Sequence, residues 1–176
     1  ASERTARAAS ARSSSTLATT LDSIRHSLAH ILAAAVKEQF PKVKLGIGPV
    51  IEHGFYYDFK FPGEFSADAL PALEKRMREI IRMRLPFCGK NVTAVAVKKL
   101  FRDQPFKLEL IKDFLKEKKA LTAYETGSKD KSEVYFVDLC KGGHVKNTSE
   151  IHPESFKLTH TAGAYWKGNE KNAQLT

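Results

Sequence analysis

Two short stretches far apart in the chain carry side chains able to do chemistry: His26-Ser27-Leu28-Ala29-His30 and Cys140-Lys141-Gly142-Gly143-His144. Each places two nitrogen or sulfur donors four residues apart, a separation that lets both point into one small volume from a helical turn or a tight loop. Together they predict a composite pocket, with a helix as one wall and a Gly-rich loop as the other. His26, His30, Cys140 and His144 form a set able to hold zinc tetrahedrally. The same groups could instead hold a water and an ester, with a histidine accepting the proton. Lys107 and Asp138 add a cation and an anion, and Asp138 shares a strand face with Cys140 if that strand continues.

The elements that must position these groups can be read in chain order. Over residues 21–40, Ile24, Leu28, Ile31, Leu32 and Ala35 fall within about 100° of one another on a helical wheel, predicting a core-facing stripe. His26, His30, Ala33 and Lys37 fall on the opposite side. This predicts a histidine face away from the main core, left uncrowded by Ala33 as a cleft wall requires. Pro41 ends the helix. Residues 45–51 and 55–59, parted by Glu52-His53-Gly54, predict a hairpin, and Gly46 and Gly48 mark a close approach to its backbone.

After Pro62-Gly63, Asp68 is the expected cap of a second helix with Pro71 in its first turn. Leu73, Met77 and Ile80 or Ile81 form its apolar stripe, and Arg76, Arg78, Arg82 and Arg84 make it basic. Residues 91–101 read either as a strand, from Val92, Val95 and Val97, or as a short helix capped by Thr93. A third helix is expected over 106–118 with Lys107 in its first turn, where a cation opposes the macrodipole. Residues 121–125, 133–139, 156–161 and 164–166 read as strands, with a turn over 127–130. The pattern predicts one α+β domain, its helices packed on a largely antiparallel sheet.

Composition narrows the function classes. At 176 residues the chain suits one domain with a real core. No apolar run approaches the roughly 20 residues of a membrane span, so a soluble protein with no membrane partner is expected. Lys and Arg outnumber Asp and Glu by 29 to 20, which favours a polyanionic partner such as nucleic acid. Two cysteines, Cys88 and Cys140, are too few for a disulfide framework and favour a reducing compartment. Residues 1–20 read as a basic tail preceding a domain over 21–176. Arg4, Arg7 and Arg12 lie there among Ser, Thr and Ala, with Glu3 the only acid, a composition like that of organellar transit segments. A mitochondrial location is therefore expected ahead of a cytoplasmic one; a disordered extension would have the same composition.

The stretches His26-x3-His30, Leu45-Gly-Ile-Gly-Pro-Val-Ile-Glu52, Gly54-Phe-Tyr-Tyr-Asp-Phe59, Asp138-Leu-Cys-Lys-Gly-Gly-His144 and Ala162-Gly-Ala-Tyr-Trp-Lys-Gly168 resemble, in order, the editing domain of bacterial-type threonyl-tRNA synthetases. The resemblance covers residues 21–176. The alanyl-tRNA synthetase editing domain shares both four-residue spacings, but the Gly-Phe-Tyr-Tyr-Asp and Gly-Ala-Tyr-Trp segments favour the threonyl branch. Nothing resembles the small ubiquitin-like domain that usually precedes the module, and the chain stops where an aminoacylation domain would begin, so an isolated or excised module is expected.

The resemblance implies hydrolysis of Ser-tRNA(Thr), with the tRNA(Thr) acceptor end as partner. One missing methyl changes binding by only about 1–3 kcal/mol, so a synthetic site for threonine needs a second site to remove serine. By position in the motifs, His26 and Lys107 would hold and activate a water. His30, Cys140 and His144 would shape the pocket, Asp138 would hold the seryl end, and Gly48 and Tyr57 would line the nucleoside side. Arg76, Arg78, Arg82 and Arg84, with Lys141 of the loop, are the candidates for RNA contact, each contact salt-sensitive. No cofactor is expected by this resemblance, although the alanyl relatives are zinc proteins and zinc on His26, His30, Cys140 and His144 stays open.

Two departures from the family pattern stand out. Arg and Pro are common where Lys141 and Gly143 stand, and extra residues around 118–132 separate Lys107 from Cys140. The competing reading is a structural subunit of a large ribonucleoprotein such as a mitochondrial ribosome, contacting ribosomal RNA.

Overall fold

The computed structural model describes residues 2–176, with side chains from Thr20 onward. Helix α1 spans Ser2–Gln39. The side chains of the basic tail, and therefore the transit-segment reading, lie outside the described residues. Leu28, Ile31 and Ala35 are buried as their spacing predicts, with Ile24 and Leu32 packed against the same core. The opposite side departs from expectation. Ser27, His30 and Ala33 are each 2% exposed or less, so the histidine side is not an open cleft wall. A strand far along the chain covers it, and His30 meets Phe136 edge to face at 6.0 Å between ring centroids.

The hairpin forms as two short ladders: β1 (Lys44–Leu45) with β4 (Phe59–Lys60), and β2 (Val50–Ile51) with β3 (Gly54–Phe55). Gly46 N–H donates to Asp58 O, and Asp58 N–H to Ile47 O, both at 2.8 Å. The group that approaches the backbone is Tyr57, whose ring would lie 2.3 Å from a Cβ built on Gly48. Helix α2 (Leu70–Arg82) follows, and its cap differs from expectation. Ser66 Oγ accepts from Asp68 N–H at 3.2 Å and opens a short 3-10 turn that runs into α2. Both residues are good caps locally, and the turn hands the role to the earlier one. Leu73, Met77, Ile80 and Ile81 are buried in the core shared with α1.

The ambiguous stretch over 91–101 is divided. Strand β5 (Phe87–Asn91) ends, and Thr93 Oγ1 accepts from Ala96 N–H at 3.2 Å to cap helix α3 (Ala94–Leu100). Helix α4 (Pro105–Lys116) precedes β6 (Thr122–Thr126) and β7 (Phe136–Leu139). Strands β5, β6 and β7 pair antiparallel in that order. Side chains alternate along β7. Phe136 and Asp138 lie toward α1, whereas Val137 and Leu139 pack with Val97, Phe101 and Ile111 beneath α3 and α4. The sheet is thus covered on both faces, an α+β arrangement of helices on antiparallel strands.

Residues 156–161, expected as a strand, are irregular. Leu158 N–H donates to the Glu74 carboxylate at 2.7 Å, so a side chain takes the place of a ladder partner. Strand β8 (Ala164–Tyr165) pairs with β9 (Gln174–Leu175). Trp166 packs against Phe106 and donates from its indole to Glu109 at 2.8 Å, which fixes this end onto α4. Among the described residues no helix is long and apolar enough to cross a membrane.

Ile31 is 0% exposed at the centre of this packing. Ile31→Ala is expected to lower stability by about 2–5 kcal/mol, read from the urea midpoint. A loss far below that range would place Ile31 outside the cooperative core.

Candidate functional site

The two motifs meet. Cys140 continues the β7 ladder by donating its N–H to Thr122 O at 3.1 Å, and the chain then turns through Gly142 and Gly143 toward α1. Cys140 Sγ lies 3.3 Å from His26 Nε2 and 3.3 Å from His144 Nε2. One donor atom from each of His26, His30, Cys140 and His144 falls within 4.8 Å of the others. The rings of His26 and His144 stack at 4.1 Å, and His144 also stacks on Phe87 at 5.1 Å.

Behind the cluster sits a buried charge pair. Lys107 Nζ is 2.5 Å from Asp138 Oδ1, and the two residues are 1% and 2% exposed. Tyr57 Oη donates to Asp138 Oδ2 at 2.6 Å, and Leu139 N–H donates to Oδ1 at 2.7 Å. His30 Nε2 stands 3.8 Å from the same carboxylate. The extra residues over 118–132 run from the connection after α4 through β6 into the turn that follows, and they leave Lys107 beside Asp138. Gly48 is not an open surface, because the Tyr57 ring covers it.

Burial sets the protonation of the cluster. It lowers His26, drives His30 well below 6.5, with His26 and Lys107 adding to the effect, and takes His144 down to about 2. Burial also pushes the Cys140 thiol up to about 11 and Tyr57 well above its usual value. At neutral pH the imidazoles are proton acceptors and Cys140 keeps its proton, which makes it a poor nucleophile.

This donor set fits zinc. Tetrahedral coordination would separate sulfur and nitrogen ligands by roughly 3.5 Å, close to the 3.3 Å found here. His144 Nδ1 meets Ser27 Oγ at 3.4 Å, whereas His30 Nδ1 is buried without a hydrogen-bond partner. An outer contact such as that of His144 orients a ligating histidine. Held by all four of His26, His30, Cys140 and His144, a zinc ion would have its tetrahedral positions filled by the protein; held by three of them, it would keep a fourth position in which to lower the pKa of a bound water.

The basic helix α2 is answered by carboxylates. Arg76 lies 2.8 Å from Glu38 and 3.0 Å from Glu79, Arg78 is 2.8 Å from Glu74, and Arg82 is 3.4 Å from Glu154. This face offers RNA less free charge than the count of arginines suggests. Arg84 takes a positive φ of 54° at the end of the helix. Lys141 is exposed on the loop that carries Gly142 and Gly143, 5.8 Å from the Phe114 ring centroid. A cavity of about 1000 Å³ opens elsewhere, lined by Leu28, Leu32, Phe55 and Phe156. It includes none of the four clustered donors, although Tyr57, which donates to Asp138, also lines it.

Comparison with known proteins shows what the chain is similar to. Residues 121–176 match the model of the threonyl and alanyl tRNA synthetase second additional domain. The chain is also 43% identical over 152 residues to a threonine–tRNA ligase of Borreliella afzelii, which covers 86% of this chain and 25% of the relative. It is 45% identical over 157 residues to the Treponema pallidum enzyme of that name, covering 89% and 25%. The chain thus spans about a quarter of the length of the curated relatives it matches. The resemblance read from the motifs holds, and with it the α+β threonyl/alanyl editing-domain-like fold.

Two residues that touch the cluster escape the motif reading. Tyr124 stands opposite both Asp138 and Gly89 in the sheet, and its ring centroid is 4.9 Å from that of His144. Its hydroxyl would meet a Cβ on Gly142 at 2.3 Å, so it packs on the loop itself. Strand alternation from Asp138 would have found it once the β6–β7 register was known. Ser27, 0% exposed between the two histidines of α1, was visible only as a small residue inside a motif.

The buried pair and the neutral imidazoles each have a measurable consequence. Lys107→Met would leave the Asp138 carboxylate buried without its cation and is expected to cost about 3–5 kcal/mol in urea unfolding. A loss below about 1 kcal/mol would show that water reaches the carboxylate. Above pH 6.5, His30 and His144 are neutral in both folded and unfolded chains and add no pH dependence. As pH falls below 6.5, the unfolded chain gains protons that the folded one refuses. Stability then declines by up to about 1.4 kcal/mol per pH unit for each histidine. Equal urea midpoints on the two sides of that value would mean that the imidazoles protonate in place.

Proposed function

We propose that this chain is a hydrolytic editing module that removes serine from mischarged tRNA(Thr). The observation that carries the reading is the meeting of His26, His30, Cys140 and His144 within 4.8 Å, beside the Lys107–Asp138 pair. In this reading the 3′ aminoacyl ester lies against the Gly142–Gly143 loop. His26, half-buried and neutral, takes the proton of the attacking water through Nε2. Lys107 supplies the fixed positive charge near the reacting ester, held in place by Asp138 and the face of Tyr57, 5.4 Å from its ring centroid. Asp138 and His30 bound the space for the amino acid. Threonine's extra methyl would have to enter a region whose walls, His30, Tyr57 and Asp138, are at most 5% exposed. Such a wall discriminates by steric exclusion, where a site that accepts threonine cannot.

No step in this scheme passes through a metal. The chain's own groups supply a base, a cation and a packed pocket, which are sufficient for hydrolysis of an activated ester. Lys141, on the loop next to Cys140, is placed to meet the phosphates nearest the ester.

Purified chain is expected to deacylate Ser-tRNA(Thr) and to spare Thr-tRNA(Thr). His26→Ala should lower the rate by about 10²- to 10⁴-fold without a matching loss of stability. Folded chain with no deacylase activity would overturn the reading. Activity that disappears on chelation and returns with zinc would move the base from His26 to a metal-bound water.

A further inference from the structure

The reading above leaves Ser27 without a role, although it is fully buried and touches the cluster. Its hydroxyl has one proton and two lone pairs, and three groups surround it. Ser23 O lies at 2.8 Å, Val145 N–H donates to Oγ at 3.1 Å, and His144 Nδ1 lies at 3.4 Å. Ser23 O can only accept, and its distance is the ordinary one for O–H···O, so the hydroxyl proton goes there. Val145 N–H takes one lone pair. The lone pair that remains faces His144 Nδ1, and only an N–H can answer it.

We infer that Ser27 is a positioning residue that fixes His144 in its Nδ1–H tautomer, leaving Nε2 as an acceptor toward Cys140. This assignment deepens the hydrolytic reading and rests on it for its functional consequence. Cys140 Sγ is 3.3 Å from His144 Nε2 and 3.3 Å from His26 Nε2, and a thiol has one proton to donate. With His144 held as an acceptor, the thiol proton has a place other than His26. The His26 lone pair is then free for the water. In the opposite tautomer His144 would present N–H to sulfur, the thiol would turn to His26, and the base would be occupied. Ser27 acts through His144 and touches no substrate.

Long-range 1H–15N correlation spectra of the full chain read the tautomer directly, with His144 assigned by comparison with His144→Gln. A single Nδ1–H form of His144 is expected in the wild type, and a predominant Nε2–H form would overturn the inference. In Ser27→Ala the His144 signals should become a mixture of tautomers, while kcat for Ser-tRNA(Thr) deacylation falls about 10- to 100-fold with KM little changed. Ser27→Thr, which keeps the hydroxyl, should restore both. An unchanged His144 spectrum in folded Ser27→Ala would sink the proposal. If that variant does not fold, the wild-type spectrum still decides. The spectra do not depend on hydrolysis, so an inactive chain with Nδ1–H His144 would overturn the editing reading and leave the tautomer assignment standing.

Discussion

The arrangement depends on one buried ion pair. Lys107 and Asp138 meet at 2.5 Å with almost no exposure, and taking two such charges out of water costs several kcal/mol for each ion. That cost is offset only where geometry and extra hydrogen bonds satisfy the remaining atoms. Here the satisfaction comes from Tyr57 and the Leu139 backbone. The pair therefore dictates where the first turn of α4, the strand β7 and the hairpin must lie. Gln104, just before α4, extends the constraint by accepting from Leu45 N–H at 2.7 Å and donating to Val43 O at 3.4 Å. An unfavourable cation in a helix's first turn is thus explained by a carboxylate from another element.

The pair also acts on the electrostatics of the cluster. Lys107 adds to the lowering of His30 and Asp138 partly raises His26 and His144, but burial is the largest cause at each. Burial favours the neutral form of each group. The outcome is a set of proton acceptors around a protonated thiol, suited to guiding a water and unsuited to attack by sulfur. Ser27 adds direction to this neutral set, because a neutral imidazole has two tautomers and only an outer contact chooses between them.

How much of this was legible in the sequence can be judged residue by residue. The four-residue spacings brought the correct donors together, and the hairpin over Glu52-His53-Gly54 and the stripe of Leu73, Met77, Ile80 and Ile81 followed from local patterns. What failed was non-local. A helical wheel ranks faces by hydrophobicity, so it assigned His30 and Ala33 to an open side; only the return of β7, more than 100 residues later, buries them. The arginines of α2 are answered partly by Glu74 and Glu79 on the same helix, and partly by Glu38 and Glu154, which come from distant positions. Residues 156–161 had the composition of a strand, but a strand needs a neighbour, and Glu74 took that place at Leu158.

The loop that closes the site carries the last step of the argument. Gly142 and Gly143 take φ values of +98° and +89°, in the left-handed half of backbone space. Proline fixes φ near −65°, so a proline at position 143, as the resemblance leads one to expect, could not take this backbone. The loop here is instead held from its sides. Gly142 N–H donates to Cys140 Sγ at 3.3 Å, Tyr124 packs on Gly142, and Val145 N–H is tied to Ser27. Rigidity that proline would build into the chain is supplied in this protein by a tyrosine on β6 and a serine on α1. The two residues the motifs did not single out are therefore the ones on which the position of His144 depends.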